Sequence, residues 1–212
     1  MAEVAIADRL AKYGLSERAV DLADLTVGRD QHVVIARDNP FFADRIHQLR
    51  PETIDDLKQW IGTPEGSCCS DPSVHGRGLL PPAVVSSALG EERSVDEHRA
   101  MNSLAGSFVF GHADAVPATH VSAINDWLSV IKARINISLF QDIYVSAGST
   151  MSLAPSIHVL FARYITVENT GRIVLGSGST TSIDCAGFRG HYAPLHLSKA
   201  SAVKAASIIK SN

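Results

Sequence analysis

Between Ile135 and Leu175 the chain nearly repeats itself. Ile135-Asn-Ile-Ser-Leu-Phe-Gln-Asp-Ile-Tyr-Val145 through Met151-Ser-Leu153 overlies Ile157-His-Val-Leu-Phe-Ala-Arg-Tyr-Ile-Thr-Val167 through Ile173-Val-Leu175 at an offset of 22 residues, without a gap. Seven apolar positions coincide: Ile135, Ile137, Leu139, Ile143, Val145, Met151 and Leu153 fall on Ile157, Val159, Phe161, Ile165, Val167, Ile173 and Leu175. Within each copy the apolar period is close to 2, and turn chemistry (Ala147-Gly-Ser149, Asn169-Thr-Gly171) divides it into pieces of strand length. A chain of this kind can stack one copy on the other, like residue over like residue, as the coils of a β-solenoid do. A third copy would start near Ser179, but the pattern slips to Ile183 and Cys185 and then dissolves. Short strands at this spacing also describe an antiparallel sandwich or barrel, which is the alternative.

Ahead of the repeat the period is nearer 3.6. Residues 2–13 read as a helix stopped by Gly14, and a second short helix is expected from Ser16. Asn39 followed by Pro40 has the chemistry of an N-cap and first helical residue, and Pro51 is read the same way, opening a helix to Ile61. A helix is expected over 82–89. Ser94-Val-Asp-Glu97 has a capping-box pattern leading into a helix that ends near Leu104. The clearest helix is 118–133, with Val121, Ile124, Leu128 and Ile131 on one stripe. Gln31–Ala36 and Ser107–Phe110 are short strand candidates, and a final helix is expected over 198–210. The expected class is therefore α+β: a mainly helical N-terminal half (about 1–133), then a β-rich, solenoid-like C-terminal half and a terminal helix. The expected division is 1–106, with a long loop at 62–82, and 107–212.

Composition bounds the function. At 212 residues with 45% hydrophobic and 19% charged residues, the chain can bury a core without staples. Residues 1–106 carry 17 acidic and 11 basic side chains (−6) and residues 107–212 carry 5 and 8 (+3), which together give −3. Neither half has the basic density that phosphate neutralisation requires, so nucleic acid is not an expected partner. No apolar run approaches the roughly 18 residues of a membrane span, and the start lacks the basic and apolar regions of an export signal, so a cytoplasmic location is expected. Three cysteines (Cys68, Cys69, Cys185) make no disulfide framework.

Two candidate metal sets and one candidate binding face could carry chemistry. His112, Asp114 and His120 lie within one loop leading into the 118–133 helix, and two histidines with a carboxylate suit Zn or Fe. A weaker set is Cys185, His191 and His196. The binding face follows from the repeat, whose outward positions bring Gln141, Asp142, Tyr144, Arg163, Tyr164 and Glu168 together. Aromatic faces beside planar hydrogen-bonding groups are what carbohydrates and peptides bind. No nucleophile elbow and no phosphate-loop motif is present. The leading expectation is a non-catalytic binding or assembly protein forming a homo-oligomer. The alternative is a metal-dependent enzyme acting on a carbohydrate or other small polar substrate through His112, Asp114 and His120.

Overall fold

Three short turns of one geometry set the architecture. Gly28-Arg-Asp-Gln31, Ser146-Ala-Gly-Ser149 and Glu168-Asn-Thr-Gly171 each close with a bond from the fourth N–H to the first carbonyl, at 3.1, 3.2 and 2.9 Å. Each places its third residue in the left-handed region: Asp30 (φ 58°), Gly148 (φ 75°) and Thr170 (φ 69°). Every turn joins two strands that run beside the strands of the other turns, so the three form a column. Gly148 N–H donates to the Thr170 hydroxyl along it (2.9 Å).

The computed structural model describes residues 5–62, 95–111, 113–176 and 181–190. Its strands are β1 (Leu25–Val27), β2 (His32–Ile35), β3 (Ile46–Leu49), β4 (Ile135–Leu139), β5 (Asp142–Val145), β6 (Thr150–Leu153), β7 (Val159–Val167), β8 (Arg172–Leu175) and β9 (Ser182–Gly190). Its helices are α1 (Ile6–Ala11), α2 (Ile54–Ile61), α3 (Val95–Phe110) and α4 (Ala118–Ile131). A six-stranded mixed sheet forming a half-barrel has the order β1-β5-β7-β4-β3, with β9 also on β7. A three-stranded sheet has the order β2-β6-β8. The chain divides into two units, Met1–Leu49 with Asn136–Asn212, and Arg50–Ile135.

This architecture corrects the expected one. The N-terminal half is not mainly helical, because residues 25–49 supply three strands to the two sheets. The β region is not a run of successive solenoid coils either. β5 and β6 pair on one side with β1 and β2, which lie 118 residues earlier, and the nine-residue β7 runs unbroken where the first copy is split into β4 and β5. The 22-residue offset is the register between neighbouring parallel strands. Ile143 lies opposite Ile165, Val145 opposite Val167, Met151 opposite Ile173 and Leu153 opposite Leu175. β9 continues at an offset of 23, with Leu160 opposite Ile183 and Val167 opposite Gly190.

Apolar alternation explains the core of the first unit. Leu25, Val27, Ile35, Ile143, Val145, Met151, Leu153, Ile165, Val167, Ile173 and Leu175 pack into one cluster with Phe42 and Phe140. The first half of β7 behaves differently. Leu160 and Ala162 enter that cluster, and the alternating Val159 and Phe161 are buried as well, so both faces of this segment are covered. Phe161 meets α1, where the Tyr13 ring packs edge-on at 6.4 Å and the Arg9 guanidinium lies 4.7 Å from its centroid.

One carboxylate fastens α1 at that place. Asp184 of β9 takes an ion pair from Arg9 (2.6 Å), a second from Lys12 (2.8 Å) and a hydrogen bond from the Tyr13 hydroxyl (2.9 Å). Arg9 also donates to the Ala162 carbonyl (3.2 Å). Burial alone would push the Asp184 carboxyl up, but Lys12 and Arg9 outweigh it and hold it below the usual carboxylate range. Burial, then the Asp184 charge, pushes the Tyr13 phenol up, so Tyr13 stays a donor.

In the second unit α2 begins at Ile54 rather than Pro51. Thr53 accepts from Asp56 N–H while Asp56 accepts from Thr53 N–H, a capping box that fixes the start three residues later. Ser107–Phe110, expected as a strand, is the last turn of α3. Ala105, Phe108 and Val109 are buried at helical spacing there, and Lys58 donates to the carbonyls of Phe108 (3.2 Å) and Gly111 (3.1 Å). α4 buries Ile124, Trp127, Leu128 and Ile131, and the Trp127 indole donates to His98 Nδ1 (3.0 Å). The expected helices at 82–89 and 198–210, Cys68, Cys69 and the loop beyond Gly62 lie outside the described residues. No helix among the described residues is long and apolar enough to cross a membrane.

Candidate functional site

The strand register gathers the outward-facing residues. Asp142 and Tyr144 alternate with the buried Ile143 and Val145 on β5, opposite Tyr164 and Thr166 of β7. Buried parity breaks on β7 between Ala162 and Ile165, which leaves Arg163 and Tyr164 both half-buried at the break. Arg163 thereby reaches Asp142 with two donors, Nε to Oδ1 at 3.0 Å and Nη2 to Oδ2, the bidentate geometry a guanidinium favours. Tyr164 N–H adds a third donor to Asp142 Oδ1 (3.1 Å). The hydrogen bonds from Arg163 hold the Asp142 carboxyl below its ordinary range.

Beside this pair the Tyr144 hydroxyl donates to Glu168, which also accepts from Ala147 N–H (2.8 Å). These two bonds, Tyr144 first, lower the Glu168 carboxyl, and Glu168 in turn raises the Tyr144 phenol. Gln141 joins through its backbone, accepting from Arg163 N–H and donating to the Ala23 carbonyl. Of the six residues expected to gather, Asp142, Arg163 and Tyr164 form one group and Tyr144 and Glu168 another. The sequence pattern missed Arg189. Its guanidinium lies 4.2 Å from the Tyr164 centroid, on the face of the ring offered by β9, where Gly187 stands opposite Tyr164. The signal was the continuation of the register to Arg189, opposite Thr166.

No family model, curated protein or solved structure matches this chain. The chemistry must therefore come from the side chains themselves. Both carboxylates at this face are engaged by neighbouring donors, and the face as a whole is partly open to solvent: Arg189 and Tyr144 are exposed, and Asp142, Arg163, Tyr164 and Glu168 are half-exposed.

The metal set is divided by what the structure describes. Asp114 is exposed in a one-turn 3-10 segment and His120 is exposed in the first turn of α4, while His112 lies outside the described residues. The same holds for His191 and His196 of the weaker set, and Cys185 is a half-buried free thiol that burial pushes up. Among the described residues no three histidine, cysteine or acidic side chains gather in a way that could hold a metal ion.

A separate buried polar group lies at the start of β4 and just ahead of β7. Asn136 N–H donates to His158 Nδ1 (3.1 Å), which puts the imidazole proton on Nε2. Among the described residues His158 Nε2 has no partner. Asn136 is itself held, donating to the Ser156 carbonyl (2.8 Å) and accepting from Gln48 (3.3 Å). Asn136-Ile-Ser138 has the spacing of an N-glycosylation acceptor, and the burial of Asn136 leaves it unsuited to so bulky a group.

Burial lowers His158 from 6.5 to about 4. The folded state therefore binds the proton less well than the unfolded chain. Stability is full above about pH 6.5 and falls as pH drops toward 4, by about 3 kcal/mol in all if the shift is fully expressed. Urea melts from pH 7 to pH 4 should show this loss, and His158→Asn, which keeps an acceptor for Asn136, should reduce it over that window.

Proposed function

We propose that the chain is a non-catalytic binding or assembly protein that self-associates. The observation carrying this reading is the mutual engagement of the gathered side chains. Asp142 is satisfied by Arg163 and Tyr164, and Glu168 by Tyr144 and Ala147. General acid or base work needs a group poised to exchange a proton near the working pH, whereas both carboxylates here are held below their ordinary range by the groups that hydrogen-bond them. A fixed polar face of this kind suits recognition, with the Arg189–Tyr164 stack and Tyr144 as the surface a carbohydrate or peptide would meet.

Self-association is supported by where apolar surface is left. Among the described residues Val20 (87% exposed), Val34 (41%) and Phe41 (82%) come from the chain segment that carries β1 and β2, and Val130, Tyr144 and Phe188 are exposed elsewhere. The expected result is a light-scattering mass that rises from one chain toward a multiple of it with concentration. A mass that stays at one chain throughout would sink the self-associating part of the reading. The metal-dependent alternative rests on His112, Asp114 and His120, and no further observation adds to it.

A further inference from the structure

Outward residues of four neighbouring strands fall into one row. Thr26 of β1 lies opposite Tyr144 of β5, Tyr144 opposite Thr166 of β7, and Thr166 opposite Arg189 of β9. At about 4.8 Å per strand the row runs about 14 Å across the sheet. Thr26, Tyr144 and Arg189 are exposed and Thr166 is half-buried.

Arg189 closes the row as a charge without a counter-ion. Among the described residues it makes no hydrogen bond and no ion pair, and its close partner is the Tyr164 ring, 4.2 Å from the guanidinium. That ring lies so near β9 that a side chain in place of Gly187 would come within 3.2 Å of it. Arg163, the second guanidinium near the ring (5.5 Å), is bound to Asp142 instead. A guanidinium held over an aromatic face keeps its N–H groups at its edge, preorganised for the two oxygens of a carboxylate.

The rest of the row says what would carry that carboxylate. Thr26 and Thr166 offer hydroxyls, Tyr144 offers a ring fixed by the bond from its hydroxyl to Glu168, and no aliphatic side chain stands in the row. A peptide would find no aliphatic anchor there. Over Tyr144 and Thr166 it would also find no unpaired strand edge, because β5 and β7 each have neighbours on both sides. A sugar needs neither, since its hydroxyls meet hydroxyls and its ring meets an aromatic. Building on the recognition role proposed above for this face, we infer that the row binds a saccharide carrying a carboxylate, with the carboxylate on Arg189 and the sugar on Thr166, Tyr144 and Thr26.

The full chain is titrated by calorimetry with a glucuronic acid trisaccharide and with the glucose trisaccharide of the same linkage, which differs only in lacking the carboxylates. The acidic trisaccharide should bind at least about tenfold more tightly, as a bidentate charge-assisted pair allows. Arg189→Gln should abolish that preference and keep the wild-type urea midpoint, because the side chain is exposed. Arg189→Lys should restore only part of it, since an ammonium lacks the planar fork. Arg172→Gln, which removes an exposed arginine on β8 of the other sheet, is the control and should keep the preference. Equal binding of the two sugars, a preference that survives Arg189→Gln, or an equal loss in Arg172→Gln would overturn the assignment of the carboxylate while leaving a recognition face standing. Glutamate tripeptide binding through Arg189 in place of the sugar would overturn the saccharide and also leave the face standing. Failure of all three probes to bind would remove the recognition role together with this inference.

Discussion

Asp184→Ala is expected to destabilise the fold by about 3 kcal/mol, the scale for removing one partner of a buried ion pair. The side chains of Arg9 and Asp184 are only 13% and 17% exposed, so the guanidinium is left without its counter-ion in a place water reaches poorly. Tyr13 and Lys12 lose their acceptor in the same step. α1 has one turn and a half and no side-chain cap, so nothing in its own sequence replaces that anchor. Hydrogen exchange should show the amides of α1 opening before those of β7. Asp184→Asn should recover part of the loss, since its carbonyl still accepts from Tyr13. The pH dependence has a definite sign: the depressed carboxyl contributes stability above the ordinary carboxylate range, lost as pH falls through its folded value. A urea midpoint unchanged in Asp184→Ala would mean that α1 is held by its apolar contacts alone.

Phe161→Ala is expected to cost about 3 to 5 kcal/mol, the range for emptying a fully buried aromatic site. Phe161 is wholly buried on the strand that lies between β9 and the pair β4 and β5. Its removal leaves Tyr13 and Arg9 over a cavity that the sheet backbone cannot collapse to fill. Phe161→Leu, which retains most of the volume, should cost no more than about 1.5 kcal/mol. Denaturant unfolding with unchanged slope and shifted midpoint would measure both. Comparable losses for alanine and leucine would point to ring contacts, rather than the cavity, as the source of the effect.

These two sites also show where the sequence was readable and where it was not. The register of Ile143 on Ile165 and of Met151 on Ile173 is visible because residues of one face recur at a fixed spacing, with a left-handed turn residue between. Leu25-Thr-Val27 and Val33-Val-Ile35 carry the same apolar spacing as Ile143-Tyr-Val145 and Met151-Ser-Leu153. They escape a search for repeats because 118 residues, rather than 22, separate them from their partners. Asn39 and Pro40 do cap and open a helical turn, Pro40–Arg45, and Ile46–Leu49 was hidden by reading the stretch from there to Ile61 as mainly helical. The residue before a proline favours extended backbone, which agrees with a strand ending just ahead of Pro51. The double burial around Phe161 is marked in β7 by the unbroken apolar run Val159-Leu-Phe-Ala162, which the match of alternating positions with the first copy passed over. At the candidate site Asp142, Arg163 and Tyr164 were legible from position. Arg189 was not, since β9 enters at an offset of 23 and the apolar match with the first two copies is lost.

The separation of β1 and β2 from β5 and β6 has a consequence for biosynthesis. When the first layer is synthesised its hydrogen-bonding partners on β5 and β6 are still 118 codons from being read. At about 5 to 20 residues per second, that delay lasts on the order of ten seconds. The segment Leu25-Thr-Val and His32-Val-Val-Ile must stay soluble for that time, while the intervening Arg50–Ile135 unit is made and folds. Slowing translation within that unit lengthens the wait, and a holding chaperone that recognises extended apolar chain would find its substrate there.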